Sequence, residues 1–236
     1  MFPHTLFRSS FRTPARAALA AAALACAHPG GAQTTAADDM ARLYALPPAG
    51  SVYVRVVNPS ATPVAVQLGA GAKPETIGAK GRIGTDYRAM PGGKLTLAID
   101  GKAATAAGAL PQGGFVTLIV GQAGAGVQTI VDENTAADGM KAELSAYNLV
   151  PSCAATIRVA GGGPAVFADI AYGSRAARAI NPVAASLAGA CGEHVSAPQA
   201  LPALKAGDHY SLFLIGTAQQ PALVGTLNRT EPWRAR

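Results

Sequence analysis

The chain has 236 residues, half of them hydrophobic and only 14% charged, with a formal net charge of +6. Its lysines and arginines are scattered singly, so it lacks the clustered cations that neutralise nucleic-acid phosphates, and no nucleic-acid partner is expected. Three cysteines at positions 26, 153 and 191 leave no CxxC spacing for a redox centre.

The first 27 residues read as a secretory signal peptide. Arg8, Arg12 and Arg16 form a basic leader without an acidic residue, and Ala17 to Ala27 is an apolar run of mostly Ala and Leu. That run is too short for a hydrocarbon core of roughly 30 Å but suits the h-region of an export signal. Ala25-Cys26-Ala27 places small residues for cleavage before His28, with Gly30-Gly31-Ala32 as a later site. A rival reading makes Cys26 a lipoprotein cysteine, because Ala23-Leu24-Ala25-Cys26 loosely resembles a lipobox.

Loss of the leader leaves 16 of the 19 basic residues against 13 acidic ones, a modest net charge of +3 that favours solubility. Cys153 and Cys191 then remain as an even pair in an oxidising compartment, which predicts one disulfide. Such a loop is worth about 4 kcal/mol by chain entropy. The alternative is two separately buried thiols.

Residues 28–41 are small and polar and read as a disordered tail. Residues 42–132 follow as an N-terminal β-sandwich, where Val52, Val54 and Val56 alternate with Tyr53, Arg55 and Val57 up to the turn signal Asn58-Pro59. Val64, Val66 and Leu68 make the next alternation, ending at Gly69. Leu95, Leu97 and Ile99 make another, stopped by Asp100-Gly101. Phe115 to Val120 is a nearly continuous apolar run between Gly114 and Gly121, as in a central strand, and Val127 to Val131 closes the set. Short strands with Gly, Pro and Asn punctuation predict an all-β fold. Ala136 to Ala146 could make a helical turn or two at a linker spanning 133–141, ahead of a C-terminal β-sandwich over 142–236.

The two halves resemble each other. Val54-Arg55-Val56-Val57-Asn58 precedes the strand at Val64–Leu68, and Leu144-Ser145-Ala146-Tyr147-Asn148 precedes an expected strand at Ala155–Val159. Phe115 to Gly121 and Tyr210 to Gly216 have the same spacing from aromatic to glycine. Matches in the same order predict two tandem β-sandwich modules related by an internal repeat.

A search for chemistry finds no catalytic constellation, no metal set and no cofactor motif. The histidines after the leader are His28, His194 and His209, without the spacing of a zinc helix. Asp208-His209 could belong to a hydrolytic triad, but no nucleophile elbow accompanies it, and a turn at a strand entry is the simpler reading. Gly121 to Gly126 lacks the Lys-Ser/Thr ending of a phosphate loop, and Gly161-Gly162-Gly163-Pro164 likewise reads as a hairpin loop. Glu75, Asp86, Asp100, Asp132, Glu133 and Asp169 sit singly at turns or at the junction. Phe115, Phe167 and Phe213 read as core, and the aromatic residues form no evident sugar-stacking cluster. Trp233, beside Arg234 and Arg236, is either an exposed anchor or a cover for the sandwich end.

Two segments carry a family resemblance. Leu43-Tyr44-Ala45-Leu46-Pro47-Pro48-Ala49-Gly50-Ser51-Val52-Tyr53-Val54-Arg55-Val56-Val57-Asn58 resembles the LY-x-P-x-x-P-x-GS-x-x-VRV-x-N opening of the AlgF family. Ala179-Ile180-Asn181-Pro182-Val183, with Ser186 and Leu187, resembles that family's INPV-x-x-SL strand. The resemblance implies a periplasmic, non-catalytic accessory protein of alginate O-acetylation. Its partners would be a membrane-bound O-acyltransferase and exported acetyltransferases, with this chain as the adaptor that holds them together. The other reading is a polysaccharide-binding module that presents polymer to those enzymes. Cys153, Cys191 and the scarcity of charge depart from the alginate proteins, so the polymer is alginate or cellulose. Tyr44, Arg55 and Trp233 are the candidate partner-binding residues. Arg55 lies on the face opposite Val54 and Val56, where it either meets a partner's carboxylate or is solvated. Asn58 reads as a turn former bonded to nearby backbone.

Overall fold

A computed structural model describes residues 46–78, 81–108, 110–121, 126–132 and 139–234. The expected signal peptide, Cys26, the tail over 28–41 and Tyr44 lie outside the described residues, as does most of the expected linker.

The described elements are almost all strands. The first part of the chain gives β1 (Val52–Val57), β2 (Val64–Leu68), β3 (Glu75–Ile77), β4 (Arg88–Met90), β5 (Leu97–Ile99), β6 (Lys102–Ala104), β7 (Phe115–Val120) and β8 (Val127–Asp132). The second gives β9 (Ala142–Asn148), β10 (Ala155–Val159), β11 (Ala165–Ile170), β12 (Arg175–Ile180) and β13 (Ser186–Cys191). After these come β14 (His194–Val195), β15 (Gln199–Ala200), β16 (His209–Gly216) and β17 (Pro221–Leu227).

They build four sheets. Sheet A runs β4-β1-β7-β8 and sheet B runs β3-β2-β5-β6. Sheet C runs β12-β9-β16-β17, and sheet D runs β11-β10-β13-β14 with β15 also paired to β13. In sheet A the central pair β1 and β7 is parallel, flanked by antiparallel β4 and β8. In sheet C the central pair β9 and β16 is parallel, flanked by antiparallel β12 and β17.

Period-two side-chain alternation decides where the cores sit. Val52, Val54 and Val56 of β1 pack with Val116, Leu118 and Val120 of β7 against Val66, Leu68, Ile77 and Leu97 from sheet B. Leu144 and Ala146 of β9 pack with Leu212 and Leu214 of β16 against Ile157, Phe167 and Leu187 from sheet D. The other faces of sheets A and C are covered as well. Val57, Ile83, Ile119 and Ile130 pack with Tyr147, Leu149, Phe213 and Ile215 in a third cluster, so the two β stacks meet sheet A to sheet C. Strands buried on both faces carry nearly continuous apolar runs, which accounts for the Phe115–Val120 sequence.

Asn58 and Asn148 stand at the ends of β1 and β9, both fully buried. Asn58 Nδ2 donates to the carbonyls of Thr62 (2.9 Å) and Ile77 (3.1 Å), and its Oδ1 accepts from the Ser60 N–H at 2.9 Å. Asn148 Nδ2 donates to the carbonyls of Cys153 (2.7 Å) and Ile170 (2.8 Å), and its Oδ1 accepts from the Val150 N–H at 3.0 Å. Each asparagine thus closes a local turn and ties it to the neighbouring strand end, work that needs donor and acceptor in one short side chain.

Four expectations need correction. Ala142–Ala146 is strand, not helix: Leu144 and Ala146 alternate into the core with a period of two. The INPV segment is not a strand, since Ile180 ends β12, residues 181–185 are irregular and Ser186 opens β13. The strand begun at Leu95 starts at Leu97.

The fourth is a register slip. Matching aromatic-to-glycine spacing equated Phe115 with Tyr210. Counted back from the two asparagines, however, Phe115 stands beside Tyr53 on β1, whereas Tyr210 stands beside Leu144 on β9. A slip of one residue exchanges the faces of a strand. Phe115 therefore stacks on the Tyr53 ring at 4.8 Å, while Tyr210 lies in the core of the second stack.

Candidate functional site: the polar joint between the two stacks

Arg55 is the centre of the joint. It projects from β1 away from the valine core and is only 2% exposed, because sheet C covers that face. The solvated strand face expected for it is therefore wrong, and its guanidinium is spent inside the chain. Nε donates to Thr117 Oγ1 at 2.9 Å, Nη1 to Asn228 Oδ1 at 2.8 Å, and Nη2 to Tyr147 Oη at 2.9 Å and Ser211 Oγ at 3.0 Å. The rings of Tyr87, Phe213 and Tyr147 lie 4.6, 5.1 and 5.3 Å from its central carbon and add cation–π attraction.

Its counter-charge is Asp132, at the end of β8 and also buried. Asp132 Oδ1 accepts from Tyr147 Oη at 2.6 Å, and Oδ2 accepts from Thr117 Oγ1 at 2.6 Å and Tyr87 Oη at 2.8 Å. Burial works against the charge on Arg55. Tyr87, Tyr147 and Asp132 outweigh it and hold the pKa above the usual arginine value. Burial also pushes the Tyr87 phenol well above the usual range and the Tyr147 phenol upward, so both serve as neutral donors.

From Asp132 the polar layer continues outward. Arg175 Nε lies 3.9 Å from Asp132 Oδ1, and Arg175 Nη2 donates to Glu143 Oε1 at 2.7 Å and Ser145 Oγ at 2.9 Å. His209 Nδ1 stands 3.7 Å from Glu143 Oε1, at the rim. The Glu143 carboxylate raises the His209 pKa against the opposing effect of partial burial. Asp208 does not complete a triad with His209; its Oδ2 accepts from the Lys205 N–H at 2.7 Å and closes the turn into β16.

The end of the chain also crosses the joint. After β17, the Tyr87 N–H donates to the Arg229 carbonyl and the Glu231 N–H to the Tyr87 carbonyl, both at 2.8 Å. Arg88 pairs with both Glu231 and Glu75, and Arg82 pairs with Glu75 at 2.6 Å and Asp86 at 3.0 Å. These groups, with Ala72 and Lys73, line a cleft of about 420 Å³ whose arginines and carboxylates neutralise one another.

Of the other sequence candidates, Trp233 is half-buried near the chain end, and Tyr44 lies outside the described residues. Cys153 and Cys191 are disulfide-bonded, joining the entry of β10 to the end of β13. Among the described residues no group of three or more His, Cys, Asp or Glu is placed to hold a metal ion. The structure also gathers Tyr53, Tyr87 and Phe115 into an aromatic cluster that sequence inspection missed, with Phe115 edge-on to Tyr87 at 5.0 Å.

A family model, alginate O-acetyl transferase AlgF, matches residues 26–211, well over half of the sequence. The chain belongs to the AlgF family. AlgF proteins are periplasmic accessory proteins of alginate O-acetylation, so membership gives this chain an accessory role in polysaccharide O-acetylation. Among solved structures, the C-terminal domain of AlgF from P. aeruginosa is 28% identical. That match covers 38% of this chain and 99% of that one, with a TM-score of 0.34. A CBM26 module from Eubacterium rectale Amy13K, solved with maltoheptaose, is 12% identical and covers 77% of this chain and 100% of its own, with a TM-score of 0.26. At such TM-scores neither likeness bears on fold or ligand. No curated protein matches.

Proposed function

We propose that this AlgF-family protein is a non-catalytic adaptor that holds exported and membrane-bound acetyltransferase components together during O-acetylation of an exported polysaccharide, alginate or cellulose. The family match across residues 26–211 is the observation that carries the reading. The joint supports it physically. Arg55, Asp132, Tyr87, Tyr147, Thr117, Ser211 and Asn228 satisfy one another inside the chain, so partner recognition falls to the outer surfaces. Arg55 is accordingly withdrawn as a docking residue, while Tyr44 and Trp233 are kept.

The proposal includes export by residues 1–27 and two modules over 42–132 and 142–236 that repeat one ancestral unit. The common strand order of sheets A and C and the matching bonds of Asn58 and Asn148 support the repeat.

The decisive experiment measures O-acetyl content of the secreted polysaccharide with the gene deleted and restored, together with co-purification of the acetyltransferase components. Polymer secreted without acetyl groups, and component association lost on deletion, is the expected result. Normal acetylation in the deletion strain would sink the reading. Loss of acetylation with the components still associated would turn it towards polymer presentation.

A further inference from the structure

The segment after β17 is built unlike the rest of the joint. Arg229, Thr230 and Glu231 are exposed, yet their backbone pairs with Tyr87 through two hydrogen bonds and a parallel bridge from Tyr87 to Thr230. Tyr87 immediately precedes β4, the edge strand of sheet A, so this segment extends the edge of the first stack although it follows the last strand of the second. Glu231 adds an ion pair to Arg88 while remaining half in solvent. At its root, Asn228 Oδ1 accepts from both Arg55 Nη1 and Ser211 Oγ, each at 2.8 Å.

We propose that Asn228–Glu231 is a releasable latch that fixes the orientation of the two stacks. Its Arg229–Glu231 part is exposed and held by two backbone hydrogen bonds and one ion pair, so it opens at far lower cost than the strands beneath it. Its release leaves Asn228 held by its own N–H to the His209 carbonyl at 2.8 Å and loosens the acceptor that Asn228 offers to the buried guanidinium of Arg55. A buried charge that loses a partner must recruit water, and water entering the joint loosens the seating of sheet A on sheet C beside their shared apolar cluster. A peripheral event is thereby transmitted to the deeply buried charge of Arg55, while each stack keeps its own apolar core.

The test places one spin label on each outer sheet, at Thr76→Cys and Ala168→Cys, both exposed, and measures the distance distribution between them. The full chain is expected to give one narrow distance. Two variants release the latch: truncation after Leu227, and Glu231→Pro, which removes both the N–H donor and the carboxylate. Both are expected to broaden the distribution while the strand-dominated circular dichroism is retained. Tyr147, buried in the joint, should become at least about tenfold more reactive to nitration, the factor that about 1.4 kcal/mol of easier opening produces. A distance that stays narrow in both variants overturns the proposal. So does collapse of the strand signal in both, because the segment would then be part of the fold and not a latch on it.

Discussion

Arg55 and Asp132 are joined through two shared hydroxyls. Tyr147 Oη accepts from Arg55 at 2.9 Å and donates to Asp132 at 2.6 Å, and Thr117 Oγ1 does the same at 2.9 and 2.6 Å. Thr117 belongs to the same sheet as both charges, whereas Tyr147 comes from the opposing stack. The hydroxyl bridge between the two charges is therefore complete only when the stacks are together. A buried guanidinium with partners on three sides has little freedom to rearrange.

Arg55→Met is expected to cost about 3–5 kcal/mol, because it leaves the buried Asp132 carboxylate with Arg175 as its remaining cation and removes the donor shared by Thr117, Tyr147, Ser211 and Asn228. Arg55→Lys keeps the charge but cannot reach Thr117, Asn228, Tyr147 and Ser211 from one ammonium, and roughly 2 kcal/mol is expected. Urea unfolding midpoints at unchanged slope provide the measurement. Two wild-type midpoints would mean that the guanidinium does not hold the joint.

Tyr147→Phe keeps the ring stacked on Phe213 at 4.8 Å and removes only the bridging hydroxyl. A loss of about 1–3 kcal/mol is expected, since two buried charged groups each lose a hydrogen bond. Combined with Arg55→Met, it should show a coupling energy well away from zero in a double-mutant cycle. Simple additivity would argue against the relay.

Asn148→Ala strands two buried carbonyls and a buried N–H, whereas Asn58→Ala strands the buried Ile77 carbonyl and loses partners of the Ser60 N–H and of the carbonyl of exposed Thr62; each is expected to cost about 1–3 kcal/mol, with Asn148 the larger. Asn→Asp at either position should also destabilise, because a carboxylate would face carbonyl oxygens. Thermal melts of the four variants decide this. An Asp variant as stable as wild type would contradict the assigned donors.

Replacing Cys153 and Cys191 together by Ala removes a cross-link closing 38 residues, worth about 4 kcal/mol by chain entropy. The melting temperature should fall in the variant, and reductant should lower the wild type towards it. Equal melting temperatures would mean that the bridge contributes nothing beyond the packing of the second core.

His209 gives the joint a pH dependence. Its folded pKa is raised by Glu143, so the stabilisation is fully present below the unfolded value of about 6.5 and is lost as pH rises through the folded value. Arg175, Asp208 and Glu143 are the charged groups acting on it. Wild type is expected to lose stability over that interval relative to His209→Gln. Parallel stability curves for the two proteins would refute the assignment.

Much of the strand content was legible because it depends on local pattern: period-two alternation at Val52–Val57, the apolar run at Phe115–Val120 and the Asp100-Gly101 turn are properties of short segments. The Asn58 turn and the cysteine pair were legible for the same reason, one from local chemistry and the other from a count of two thiols after the expected leader. Arg55 shows where that kind of reading ends. Alternation correctly placed it opposite Val54 and Val56, but whether that face meets water depends on a sheet formed about ninety residues later. One signal was available, since the continuous apolar run of β7, the strand beside β1, implies cover on both faces. Asp132, Tyr87 and Asn228 carried no such mark. Each looks like an ordinary turn or surface residue in sequence.

The sequence by itself determined the all-β class, the order of the main strands, the disulfide partners and the family, because each follows from residue type, spacing or motif along the chain. Only the tertiary structure decided that the two stacks share a buried polar layer, that Phe115 and Tyr210 face different ways, and that the chain end returns to the edge beside Tyr87. The physical reason is that burial and charge pairing are set by what packs across a sheet, and residues 55, 132, 147 and 228 become neighbours only when sheets A and C come together.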